Sequence, residues 1–212
     1  MSHPDFTRSF TAAILLSLQF ALPALAGADL KEYPTAEPCP LKVAVCGGET
    51  VGWEQIRRVL INSGTNEFVF VAPQGLRIQT EQTKVEVTPT AFSFFLTFRI
   101  LTNAAGLDLE DLNAARALTL NRFPEARCVE ENPKSVAGKT GSALNLRYNK
   151  GGVEHVICVA LIPSAAGVLE FTLFAPQEKS PEARNAFNMI LRTFRSNEGS
   201  KLEISARVVE QT

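Results

Sequence analysis

Two apolar segments, 153–162 and 167–174, are separated by Pro163, Ser164, Ala165 and Ala166, and this spacing predicts antiparallel strands joined by a short loop. An amphipathic helix follows at once. Ser180 is placed to cap it. Pro181 and Glu182 in the first turn suit a helix end where backbone N–H groups lack partners and positive partial charge collects. From there Ala183, Ala186, Phe187, Ile190, Leu191 and Phe194 recur every three or four residues, while Arg184, Asn188, Arg192 and Arg195 fall mostly elsewhere. One face of this helix is expected to dock on the hairpin.

Upstream, the pattern is of repeated short strands, over 68–72, 76–80 and 84–88, and then a longer one over 91–102. In the last, Phe92, Phe94, Leu96, Phe98 and Ile100 share one face, with Ser93, Thr97 and Arg99 on the other. A helix is expected next, capped by Asp108 and ending before Pro124, with Leu109, Leu112, Ala115, Leu120 and Phe123 on one stripe. Arg116 falls inside that stripe, where its aliphatic stem is expected to lie along the sheet with its charge reaching outward. Strands return at 126–130 and 143–148, and residues 149–152 turn the chain into the hairpin. Two one-faced helices among this many strands predict an α+β domain over residues 67–196, a mainly antiparallel sheet flanked by helices.

Residues 27–66 read as an N-terminal extension. Pro34, Pro38 and Pro40 leave the start without regular structure, 41–45 reads as a short strand, and Trp53, Ile56, Val59 and Leu60 align on a short helix stopped near Gly64. Residues 197–212 form a C-terminal tail that adds an edge strand or stays mobile. The first 26 residues have the form of a signal peptide: Arg8, the apolar run from Ala12 to Leu22, then the small-residue site Ala24, Leu25, Ala26. That run is too short for a membrane span, which needs ~20 apolar residues, and no other stretch is longer. Export to the periplasm or the medium is therefore expected. Acidic and basic residues nearly balance, which argues against a nucleic-acid surface.

The strand pair, followed by Ser180-Pro181-Glu182-Ala183 and the closing run Phe187-Asn188-Met189-Ile190-Leu191-Arg192-Thr193-Phe194, resembles the PsbP-like family. That family also takes in the Ran-binding nuclear import factor and small bacterial envelope proteins of the DcrB type. The resemblance spans about residues 67–196 in element order. It implies an α/β/α sandwich and a role as a binding or accessory protein, and it brings no catalytic residues with it.

Four cysteines, Cys39, Cys46, Cys128 and Cys158, lie beyond the signal segment, and an even count in an exported chain points to disulfides. Cys39 and Cys46 are close enough in sequence to close a tight loop containing Pro40. Cys128 pairs with Cys158 if their strands lie side by side; otherwise each is a buried thiol acting as a small hydrophobe. No Cys-x-x-Cys spacing is present to make a redox pair.

His155 is the one histidine past residue 26, on a strand face with Val153, Ile157 and Val159, which leaves little for an enzyme built on histidine. Zinc sites need three or four ligands, and no metal or cofactor is expected. The run from Pro133 to Thr140 comes near a phosphate loop, but Pro133 replaces the first glycine and a strand follows where a helix must open. Cys46-Gly47-Gly48 lacks the glycine spacing of a dinucleotide turn and reads as a loop beside a disulfide. The adjacent pairs Glu110/Asp111 and Glu130/Glu131 read as solvated charges, because neighbouring side chains point apart. Phe92, Phe94, Phe98, Phe171, Phe174, Phe187 and Phe194 are numerous enough to line an apolar pocket, though a sheet–helix core is the commoner use of such residues.

The expectation from all this is a non-enzymatic, exported binding or accessory protein of the cell envelope, its partner an envelope protein or a small molecule. The alternative is a carrier of a small apolar ligand in a pocket between sheet and helix, and an enzyme comes third. If the signal segment works as its pattern predicts, the mature chain begins at Gly27; N-terminal sequencing of protein from its own host checks this, and an intact Met1 or a different start would count against it.

Overall fold

The chain is described here by a computed structural model covering residues 37–198, apart from 52, 53, 91, 92, 105 and 110. The expected signal segment, the lead-in up to residue 36, Trp53, Phe92, Glu110 and the tail beyond 198 lie outside the described residues. In chain order the elements are β1 (Lys42–Val51), β2 (Glu54–Ser63), β3 (Asn66–Ala72), β4 (Leu76–Thr80), β5 (Val85–Pro89) and β6 (Phe95–Leu101). Then come α1 (Leu112–Arg122), β7 (Arg127–Val136), β8 (Lys139–Lys150), β9 (Val153–Ser164), β10 (Gly167–Pro176), α2 (Ser180–Thr193) and β11 (Arg195–Glu198).

Seven strands make one antiparallel sheet in the order β4-β5-β6-β10-β9-β8-β7. The predicted hairpin β9–β10 sits inside it, with Phe171 opposite Ala160 and Leu173 opposite Cys158. After β6 the chain crosses one face of the sheet as α1, enters the far edge as β7, and returns strand by strand to β10. Ala115 and Leu118 of α1 pack there on Leu144, Leu146, Ile157 and Val159. On the opposite face, Ala183, Phe187, Ile190, Leu191 and Phe194 of α2 pack on Phe98, Phe171 and their neighbours. The predicted apolar stripe of α2 is thus the buried one. The fold is α+β, a mainly antiparallel sheet with one helix on each face.

A second sheet, β1-β2-β3-β11, shares the α2 side of the core. Val59, Ile61, Phe68 and Phe70 belong to the same buried cluster as Phe98 and Phe194, and the Phe68 and Phe194 rings stack at 5.9 Å between centroids. The short helix expected over 53–64 is therefore strand β2. Apolar positions 56, 59 and 60 fit a helical period, but Val59 and Ile61 alternate with Arg58, Leu60 and Asn62, and pairing on both edges selects the period of two. The expected division at residue 66 falls in the β2–β3 hairpin, where Ser63 pairs with Asn66. Asn197 and Glu198, expected to open the tail, pair with Glu67 and Asn66 in β11.

Helix α1 starts one turn later than expected. Asp111, not Asp108, is the cap, its carboxylate accepting from the Asn113 N–H at 2.9 Å, while Leu109 is already buried beneath the sheet face. Arg116 does not lie on the sheet; it is exposed and donates to Glu131. Ser180 is the first residue of α2 rather than its cap, and its Oγ instead accepts from Arg184 Nε at 3.1 Å. The sequence that came near a phosphate loop forms the β7–β8 hairpin, closed by Ala137 at φ 51° and Gly138 at φ 77°. Positive φ at both turn residues suits the strand twist but strains alanine.

None of the four cysteines is bonded to another. Cys39 Sγ lies 3.3 Å from Ser63 Oγ, whereas Cys46 faces Arg58 five residues down the same strand, a separation of ~17 Å at the usual strand rise. Because β1 is extended, the local loop expected between Cys39 and Cys46 does not form, and Cys46-Gly47-Gly48 sits in a bulge of that strand. Cys128 and Cys158 are separated by β8 and belong to opposite faces, Cys128 against the α1 side and Cys158 in the α2 core. A disulfide needs Cα atoms within ~7 Å and converging Cβ vectors, so that pair is excluded as well. Two backbone positions give opposite predictions. Ala137→Asn relieves the turn and should raise stability by about 0.5–1 kcal/mol, while Gly141→Ala drives a Cβ into the Leu161 carbonyl oxygen and should cost about 1–3 kcal/mol. Urea unfolding of both variants checks the pair of signs.

Candidate ligand-binding cleft

On the α1 face, β6 and β10 place three cross-strand pairs in a row: Phe95 with Phe174, Thr97 with Thr172, and Arg99 with Glu170. The charged pair is almost dry, with Arg99 Nε 3.1 Å from Glu170 Oε1 and Glu170 only 4% exposed. Arg122, in the last turn of α1 where a cation suits the carbonyl end of a helix, reaches down to the same oxygen. Its Nη1 also donates to Thr172 Oγ1 at 3.1 Å. Burial pulls the Arg122 guanidinium below the usual arginine range, with Glu170 opposing that shift and Arg99 adding to it, yet an arginine remains a cation at neutral pH. Two guanidiniums therefore share one carboxylate, and the cluster keeps one positive charge. The Thr97 hydroxyl beside it is buried without a hydrogen-bond partner.

Arg122 ends α1, and Pro124 cannot continue it, so the helix leaves the ends of the neighbouring strands uncovered. An open cleft of about 520 Å3 results. Phe95 and Phe174 stack with ring centroids 5.0 Å apart and planes within 9°, and Tyr148 meets Phe174 edge-on at 6.2 Å. Phe123 closes the helix side, its ring 4.8 Å below the Arg122 guanidinium carbon, while Glu125 and Lys150 add one charge of each sign. Phe95 is 36% exposed and, with the partly exposed Phe174 stacked on it, forms a contiguous apolar surface at the cleft. Volume and lining are those of a small-molecule site: apolar walls with a few placed polar groups.

His155 stands at the edge of this wall, its ring 4.9 Å from that of Phe174 and its Nδ1 3.0 Å from the Val153 carbonyl oxygen. The phenylalanines expected together are split by strand parity. Phe94, Phe98, Phe171, Phe187 and Phe194 form the α2-side core, whose internal void is about 10 Å3, too small for any ligand. Phe174 points to the other face. A smaller polar cleft of about 230 Å3 lies between α2 and β8–β9, where Arg184 is tied to Ser180 and Asn145. Among the described residues, no three His, Cys, Asp or Glu side chains converge as a metal site. No helix among them is long and apolar enough to cross a membrane.

Of the carboxylate pairs, Glu130 is a solvated charge accepting from Asn132 and Asn145, and Asp111 is a cap. Glu131 departs from expectation, because its carboxylate is largely buried between Arg116 and Cys128 Sγ, the latter at 3.1 Å. The cleft itself went unread in the sequence; the one signal for it was the matching parity of Phe95, Thr97 and Arg99 with Phe174, Thr172 and Glu170.

No protein-family model matches the chain, and no curated protein is similar in sequence. Similar solved structures include cyanobacterial PsbP (CyanoP) from Synechocystis, at 14% identity and a TM-score of 0.48, covering 71% of this chain and 98% of that one. LpqN of Mycobacterium tuberculosis, described as involved in cell envelope biogenesis, is 14% identical at a TM-score of 0.45, with 71% and 98% covered. The Ran-binding protein Mog1p of Saccharomyces cerevisiae is 15% identical at 0.44, with 73% and 96% covered. The resemblance to PsbP-like proteins is thus one of fold, and it is weak.

Burial, reinforced by the thiol's hydrogen bond to Glu131 and by that carboxylate's negative charge, pushes the Cys128 thiol up to about 11. Cys128 should accordingly resist iodoacetamide at pH 8, when the exposed Cys46 is already alkylated, and react as pH rises toward 11. Glu131→Gln should shift that onset to lower pH. Site-resolved mass spectrometry of timed samples checks both, and equal rates for the two cysteines at pH 8 would contradict the assignment.

Proposed function

We propose that this protein is an exported, non-enzymatic binding protein of the cell envelope that holds a small ligand in the cleft at the end of α1. The observation that carries the reading is the Phe95–Phe174 stack left open to solvent in a cleft walled by aromatic rings. Leaving such a surface wet forgoes about 25 cal/mol for every Å2 that a ligand or partner would cover. The carrier reading thereby moves from the α2 side, where the core is filled, to the α1 side. His155 supports a binding role over a catalytic one, because Nδ1 faces its own strand's carbonyl and the ring packs beside Phe174 as part of the wall. Export rests on the signal-like segment before Gly27.

Native mass spectrometry of protein purified from its own host tests the proposal. Wild type is expected to retain a small molecule that a Phe95→Asp variant, shown by circular dichroism to be folded, loses. A co-purifying protein in place of the small molecule would favour the accessory role instead. Any activity in a broad substrate screen that disappears in His155→Ala, with the variant still folded, would overturn the non-enzymatic reading.

A further inference from the structure

The charge left over beneath the cleft specifies the ligand, on the premise that the cleft is the binding site. We propose that the cleft takes a small aromatic monocarboxylate, its ring against Phe95 and Phe174 and its carboxylate on Arg122.

Three observations converge. The walls are ring faces and edges, with the Phe95–Phe174 stack nearly parallel, which favours a flat apolar body over a branched or strongly polar one. At about 520 Å3 the cleft matches one small molecule rather than a protein loop. Finally, Arg99 and Arg122 share the single carboxylate of Glu170, so the floor carries one uncompensated positive charge. The hydrogen bonds of Arg122 to Glu170 and Thr172 both use Nη1, leaving the planar fork its other N–H donors to present to an anion. Glu125 and Lys150 at the rim cancel, so the surplus inside is what a ligand must match. A monoanion neutralises the cluster; a neutral ligand leaves it as it is, and a cation adds to it.

Calorimetric titration of the folded chain with 2-naphthoate and with its neutral counterpart, 2-naphthalenemethanol, tests the proposal. The carboxylate should bind roughly tenfold more tightly than the alcohol, the equivalent of one charge-assisted hydrogen bond. Phe95→Asp should abolish binding of both, and Arg122→Gln should remove the preference between them while leaving the alcohol's affinity in place. Lys42→Gln, exposed on β1 and outside the cleft lining, should leave the preference unchanged. If Arg122→Gln fails to fold, the wild-type ratio and the Lys42→Gln control decide. Equal affinity for acid and alcohol, lost together in Phe95→Asp, would overturn the carboxylate assignment and leave the cleft as a binding site. Absence of binding by either probe, or binding untouched by Phe95→Asp, would overturn both.

Discussion

Along β9 and β10, successive side chains alternate between two dry faces, with Val156, Cys158 and Ala160 on one and Ile157, Val159 and Leu161 on the other. A strand pair of this kind cannot leave either side to water, and each large aliphatic side chain it buries contributes about 1.5–3 kcal/mol. Two covering layers are therefore obligatory. Helix α1 supplies one of them over β8 and β9, and α2 supplies the other together with the inner face of the four-stranded sheet. The crossing of α1 from β6 to the far edge follows from the same requirement, since a direct hairpin out of β6 would leave the α1 face bare. The small sheet is likewise structural: Phe68 and Phe70 complete the layer around Phe98 and Phe194.

Against that apolar economy, the Arg99–Glu170–Arg122 cluster stands out. Desolvating three charges costs several kcal/mol per ion before their attraction returns any of it, and well-packed apolar residues in such a place are often as stable or more so. Stability alone does not account for the cluster. It does hold the end of α1 at a fixed point on β10, and that placement leaves the Phe95–Phe174 stack uncovered beside a cation. Geometry, exposure and charge thus meet at a single place on the α1 face.

Much of the architecture was legible because its signals are local. The β9–β10 hairpin, β4 and the buried stripe of α2 follow from alternation, turn spacing and helical period within short windows. Strand β2 was misread because 56, 59 and 60 satisfy both periods, and only its partners β1 and β3, one of them before it in the chain, break the tie. Asp108 and Asp111 are both fit to cap a helix, and it is the Asp111 carboxylate that accepts from the backbone two residues on. The disulfide expectations failed for a reason no spacing reveals, namely which face each cysteine takes and how many strands stand between. The cleft was hidden for a related reason: Phe95, Phe123, Tyr148 and Phe174 come from four elements, and what matters about them is where α1 stops.

The back-to-back placement of Cys128 and Cys158 also bears on how the chain reaches this state. On the proposed export route the unfolded chain would carry its thiols into an oxidising compartment, and a Cys128–Cys158 disulfide made there would join segments that the finished sheet keeps apart. Completion of β8 between β7 and β9 ends that hazard for one of these thiols by burying it and leaves the other protonated beside Glu131. For these two thiols the sheet acts as a protecting group does in synthesis, and on an export route the yield of folded protein would follow a race between strand pairing and thiol oxidation.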